Sequence, residues 1–264
     1  MLDKENPRTK INPQVSNSSP PHARFPSGMK ASGGVIFLCS LHVETQMSQQ
    51  QSLPQPPATP KAVVFFDGQN LYYSAKRVFG YSYPNYDPKK LAEYVCINQG
   101  WQLTETRFYT GFPNPKEDPF WNHFWRVKFA QMKRDAVYLF SRDLRYQSES
   151  VTLPNGQEHL VRIRKEKGID VRIAIDIIRL GHQRVYDVAL IFSQDQDLSE
   201  VAEEIRTIAQ EQNRWIKVAS AFPFAASPKI RGINKTDWIK IDKATYDLCI
   251  DPRDYRPPRP KTSP

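Results

Sequence analysis

The chain of 264 residues carries 37 Lys and Arg against 28 Asp and Glu, a formal charge of +9 and a pI near 9.4, which favours a polyanionic partner. No apolar run reaches the roughly 18 residues that a membrane span requires. The three cysteines, Cys39, Cys96 and Cys249, have no metal-type spacing, and an odd count of scattered thiols argues for a reducing cytoplasm over a disulfide framework.

Residues 1–60 hold nine of the 22 prolines, a Ser-Asn-Ser-Ser stretch and the run Gln49-Gln50-Gln51, with no sustained period. Such a composition buries too little apolar surface to offset ordering entropy, so this leader is expected to be disordered. Its longest apolar run, Gly34 to Cys39, lies too far along for a secretory signal, and Met47 competes with Met1 as the start. Residues 251–264, with five prolines and four basic residues, read as a second disordered tail. Between the tails, residues 61–250 keep 28 basic against 23 acidic residues, or +5, so a local patch matters more than the total.

That central segment alternates strand and helix patterns. Lys61 to Phe66 is a buried-strand run, Leu71 to Phe79 a helix, and Pro88 opens another helix. A second strand ends at Arg107-Phe108-Tyr109. Asp118-Pro119 opens an aromatic helix to about Arg134, and Ala136 to Phe140 is a third strand. Asn155-Gly156 between two β-rich runs signals a hairpin. Ile169 to Leu180 is an apolar helix, Val188 to Phe192 a strand, and Asp197 to Gln212 an amphipathic helix. Val218-Ala219-Ser220 and Trp238 to Ile241 are short final strands. The expected fold is α/β, a three-layer sandwich around a mainly parallel sheet with a β-hairpin insertion.

Parallel strands present ligands at their carboxyl ends, and acids cluster at the ends of these strands. Asp67 follows four apolar residues, with Asn70 three positions on; Asp170 follows Lys167-Gly168-Ile169; Asp195 and Asp197 follow Ser193. Each also has a plainer reading, because Asp and Asn serve turns and helix caps, and Asp197 with Glu200 has capping-box spacing. Asp176 lies inside an apolar helix, where an unpaired carboxylate is costly, so either a metal or a nearby Arg must meet it. Helical rotation ranks it below Asp170 as a ligand. Converging carboxylates repel unless a cation neutralises them, and hard oxygen donors select Mg²⁺ or Mn²⁺. The five histidines are too scattered for zinc.

Basic residues flank these acids. Arg142, Arg145, Arg162, Arg164, Lys165, Lys167 and Arg172 read equally as contacts to a nucleic-acid backbone or as a solvated charge run. Tyr72, Tyr73, Trp121 and Trp125 could stack unpaired bases, although helical spacing places most of them in the core.

The order Phe65-Phe66-Asp67-Gly68-Gln69-Asn70, then Lys167-Gly168-Ile169-Asp170-Val171 with Asp176 beyond, then Asp187 to Asp197, resembles the NYN domain family of PIN-like ribonucleases over about residues 61–248. The resemblance implies a Rossmann-like sheet and metal-dependent endonucleolytic hydrolysis of single-stranded or structured RNA. It implies that Asp67, Asp170, Asp195 and Asp197 hold the metal, that Asn70 orients Asp67 or the phosphate, and that Ser193 supports the loop. Gln194 stands where the family usually has Gly. Two other readings are an inactive RNA-binding module and a metal-dependent phosphohydrolase; the latter suffers from Gln69 in place of a second acid. A homodimer is compatible with the sequence.

Overall fold

Every residue from Ala62 to Asp67 is buried, and a strand covered on both faces belongs in the middle of a sheet. The computed structural model describes residues 54–154, 156–225 and 230–258, and puts this strand, β1 (Lys61–Asp67), near the centre of six. Its side chains alternate. Ala62, Val64 and Phe66 enter one core, and Val63 and Phe65 enter another on the opposite face.

The first core is closed by α1 (Gly68–Phe79), α2 (Pro88–Asn98) and α3 (Pro119–Arg134), through residues such as Leu71, Leu91 and Phe124. The second is closed by α4 (Ile169–His182) and α5 (Ser199–Glu211), through Ile173, Ile177 and Ile205. The remaining sheet strands are β2 (Gln102–Phe112), β3 (Tyr138–Asp143), β6 (Val188–Phe192), β7 (Lys217–Pro223) and β8 (Asp237–Ile241). Their order is β3-β2-β1-β6-β7-β8, with every neighbouring pair parallel. A short α6 (Lys243–Leu248), capped by the Asp242 carboxylate, follows β8.

The hairpin expected around Asn155-Gly156 is present as β4 (Arg145–Thr152) and β5 (Glu158–Lys165), a two-stranded sheet separate from the main one. Its arginines anchor it. Arg162 pairs with Glu117 at 2.6 Å and Arg164 with Asp118, both just before α3, while Lys165 pairs with Glu149 across the hairpin. Exposed ion pairs add little global stability but can hold a small sheet in place. Replacing Arg162 and Arg164 together by Ala should therefore speed amide exchange throughout β4 and β5 while leaving the midpoint of global unfolding unchanged. Unaltered hairpin protection would show that these pairs anchor nothing.

The segment that the proline content assigns to a tail after Asp251 does not leave the surface at once. The amide of Asp251 donates to the Asn85 carbonyl at 2.8 Å, the Tyr255 hydroxyl donates to Asp251 at 2.6 Å, and the Tyr255 ring meets Phe124 edge-on. An aromatic with a satisfied hydroxyl outweighs the prolines around it. The disorder expected for 1–60 and 251–264 otherwise falls, for residues 1–53 and 259–264, outside the described residues. Among the described residues no helix is long and apolar enough to cross a membrane.

Candidate functional site

The strand order reverses between β1 and β6: the chain leaves β1 toward β2 and leaves β6 toward β7 on the other side, which opens a crevice at their carboxyl ends. Asp67 ends β1 beside this opening, and Ser193 follows β6, whose last residue Phe192 is paired with Phe66. Asp67 is only 6% exposed. One carboxylate oxygen accepts the amide of Asn70 at 3.0 Å and so caps α1; the other accepts the Ser193 hydroxyl at 3.2 Å. Capping and site formation are thus one arrangement. The Asn70 side-chain Oδ1 accepts the Gln194 amide at 2.9 Å, Ser193 Oγ accepts the Asp195 amide at 3.1 Å, and Asp195 Oδ1 accepts the Asp197 amide at 3.1 Å. These bonds fix the β6–α5 loop against the start of α1.

Gly68 serves packing there, because a Cβ would stand 2.5 Å from the Phe108 ring of β2.

From the second motif come Asp170, in the first turn of α4, and Glu166, which accepts the Gly111 amide. Gly168, at φ +74, starts α4 with no side-chain cap, so Asp170 is not spent on capping. The guanidinium of Arg142 lies 2.6 Å from where a Gly168 Cβ would be. Burial pushes the Asp67 pKa up to about 6; bonds from Asn70 and Ser193 oppose this, and the charges of Asp195 and Asp170 reinforce it. Burial, then the charges of Asp67 and Asp170, push Glu166 up to about 7 against its bond from Gly111. Four carboxyl groups from three distant stretches therefore share one electrostatic environment.

Glu166 is absent from the sequence-derived set because it sits between Lys165 and Lys167 and looks like part of a charge run. The signal for it is an acid immediately preceding Lys-Gly-Ile-Asp. The donor chemistry of the four, all hard oxygens in mutual repulsion, fits Mg²⁺ or Mn²⁺. Among the described residues, however, no three His, Cys, Asp or Glu side chains already stand close enough to enclose an ion.

Two expected metal ligands lie elsewhere. Asp176 is fully buried and meets Arg107 at 3.3 Å, Arg172 at 3.1 Å, Arg179 at 3.3 Å and the Tyr109 hydroxyl at 2.8 Å. Three guanidiniums and a phenol leave no place for a cation, so the Arg partner is the right alternative for this acid. Asp197 is exposed and lines, with Glu200 and Ile178, a groove between α4 and α5. The cap expected of Asp197 belongs to Asp195, whose side chain accepts from the Asp197 amide.

The basic set also divides. Arg162, Arg164, Lys165 and Arg172 are engaged by carboxylates, whereas Arg142, Arg145 and Lys167 have no carboxylate partner among the described residues. Arg142 and Arg172 both lie over the Phe140 ring.

The raised Asp67 pKa has a consequence for stability. A carboxyl whose folded pKa is raised contributes stability that is complete below the ordinary range near 4 and lost as pH rises through about 6. For Asp67 the loss is about 3 kcal/mol. The metal-free wild type should therefore fall behind Asp67→Asn in melting temperature as pH goes from 5 to 8, and Mg²⁺ should close the gap. Parallel melting curves for the two proteins over that range would contradict the raised pKa of the buried Asp67 carboxyl.

The NYN domain family matches residues 61–230. No curated protein matches the sequence. Among solved structures, a protein of unknown function from Vibrio parahaemolyticus RIMD 2210633 is 19% identical, with 72% of this chain and 97% of that one covered and a TM-score of 0.42. MurG from Acinetobacter baumannii is 12% identical, with 68% of this chain but 45% of MurG covered and a TM-score of 0.28.

Proposed function

The chain belongs to the NYN domain family of PIN-like ribonucleases, and from that premise we propose that it is a metal-dependent endoribonuclease. The supporting observation is that Asp67, at the strand-order reversal, is coupled electrostatically to Asp170, Asp195 and Glu166, so that burial first and the neighbouring charges second raise Asp67 and Glu166 together. In this reading Asp67, Asp170 and Asp195 hold Mg²⁺ or Mn²⁺, with Glu166 as a further donor. Once bound, the metal supplies an activated water and stabilises charge on the reacting phosphate. Ser193 and Asn70 hold Asp67 in place; Asn70 also keeps its Nδ2 free of protein partners among the described residues, as a donor for phosphate. Arg142, Arg145 and Lys167 offer their charges to the flanking backbone.

We assign the nuclease unit to residues 61–250, and the buried free thiols Cys96 and Cys249 are compatible with a reducing cytoplasm.

A second reading, RNA binding without cleavage, draws on the spread of the acids, none of which form a ready three-ligand group among the described residues. Calorimetric titration with Mn²⁺ tests the first. Wild type should bind the ion, and Asp67→Asn and Asp170→Asn should each weaken binding at least about tenfold, as expected for losing one charged oxygen donor. Equal Mn²⁺ binding by all three proteins would count against the assigned ligands.

A further inference from the structure

Beside the acidic crevice lies a cavity of about 340 Å³, walled by Asn70, Tyr73, Ser74 and Arg77 of α1, by Gln194 and Gln196 of the β6–α5 loop, and by Arg231. None of its lining residues is acidic. Neither Arg77 nor Arg231 pairs with a carboxylate among the described residues, in contrast to Arg162, Arg164 and Lys165 of the hairpin. Arg77 donates instead to the Gln194 side-chain carbonyl at 3.1 Å.

Most of the amide floor is already satisfied. Gln194 accepts from Ser74 and Arg77 and donates to the Arg231 carbonyl at 2.7 Å. Gln196 donates to the carbonyls of Gln194 and Gly232 and accepts from the Asn234 amide. What remains for a ligand is two guanidiniums, the Asn70 amide group and the Tyr73 ring. Of the four aromatics singled out for stacking, Trp125 is buried, Trp121 packs against the first core, and Tyr72 gives its hydroxyl to the Ser82 carbonyl. Tyr73 is 52% exposed.

We propose that this cavity is the subsite for one nucleotide flanking the scissile phosphate, with Arg77 and Arg231 on the phosphate and Tyr73 stacked on its base. The placement beside a scissile bond rests on the nuclease reading; the binding chemistry does not. A base inside a duplex has no free face to offer Tyr73, so the subsite selects an unpaired strand. With the glutamine oxygens and most of their N–H groups engaged by protein and the Asn70 amide turned to phosphate, little of a base edge is read, and all four bases are accepted similarly.

The test is fluorescence anisotropy of the full chain with short single-stranded homopolymer RNAs and an RNA duplex, in chelator so that nothing is cleaved. Tyr73→Ala should weaken single-strand binding by about fivefold to a hundredfold for every homopolymer and leave duplex binding unchanged, while Tyr73→Phe restores it. Arg231→Ala should reduce the dependence of log affinity on log salt by about 0.7, and Arg77→Ala with Arg231→Ala by about 1.4. Wild-type affinity and salt slope in Tyr73→Ala and Arg231→Ala would overturn the subsite, as would failure of the wild type to bind single strands at all. If the variants lose binding but the wild type fails to cleave RNA in either Mg²⁺ or Mn²⁺, the subsite stands and the nuclease reading falls. Unchanged binding in the variants alongside metal-dependent cleavage removes the subsite alone.

Discussion

Asp67→Asn is expected to lower metal-dependent RNA cleavage by about 10²- to 10³-fold or more while keeping the fold. The amide keeps one oxygen for the Asn70 N–H, and its NH₂ group, in place of the second oxygen, donates to Ser193 Oγ, whose hydroxyl hydrogen turns away, so the α1 cap and the loop contact survive. What disappears is the buried negative charge that draws the cation. Asp195→Asn should behave similarly, because its charge reaches Asp67. Asp197→Asn should stay within a fewfold of wild type, since that side chain faces the α4–α5 groove. Binding of single-stranded RNA in chelator should be equal or tighter in Asp67→Asn, as phosphates then meet one negative charge fewer. Rates under single-turnover conditions check this, with circular dichroism confirming the fold. Wild-type rates in Asp67→Asn would remove it from the active site.

The largest loss of stability should come from Asp176→Ala, about 3–5 kcal/mol. Its carboxylate is the common partner of Arg107, Arg172, Arg179 and Tyr109, and Arg107 is itself buried, with Glu105 as its other acidic partner at 3.0 Å. Removing the acid leaves a guanidinium in the second core without adequate compensation. Urea denaturation should show the midpoint falling sharply with an unchanged slope. Asp170→Ala, half-buried and without a hydrogen-bond partner among the described residues, should not lose stability and provides the contrast. A midpoint for Asp176→Ala within experimental error of wild type would mean that the network holds nothing together.

Elements buried on both faces were the most legible from sequence. Val188–Phe192 is five buried residues in a row, and its bounds coincide with expectation because a run apolar on both faces but too short for a helix suits a central parallel strand. Asp118-Pro119 likewise announced α3, through a side-chain cap and a proline in the first turn. The third strand was displaced: Ala136 takes φ +58 in the turn after α3, so the ladder begins at Tyr138 and continues to Asp143. The six-residue α6 was missed because so short a helix offers too few positions for a period.

Site legibility followed the same logic. The positions of Asp67, Asp170 and Asp195 beside strand and helix ends were legible because such ends are local features. The partner of Asp176 could not, since Arg107 is 69 residues away and nothing in the local pattern pairs them. For the same reason the hairpin arginines looked free: Glu117 and Asp118, which bind Arg162 and Arg164, lie across the fold from them in sequence. Charge runs are read from composition, whereas neutralisation is a tertiary property.

The most direct measurement is incubation of the purified chain with a circular single-stranded RNA, which offers no ends, in Mg²⁺, in Mn²⁺ and in chelator. The expected result is linear RNA followed by fragments with metal, and an intact circle in chelator. An intact circle under all three conditions would contradict metal-dependent endonuclease activity and leave RNA binding as the function of the domain, and equal cutting in chelator would contradict the role of the metal.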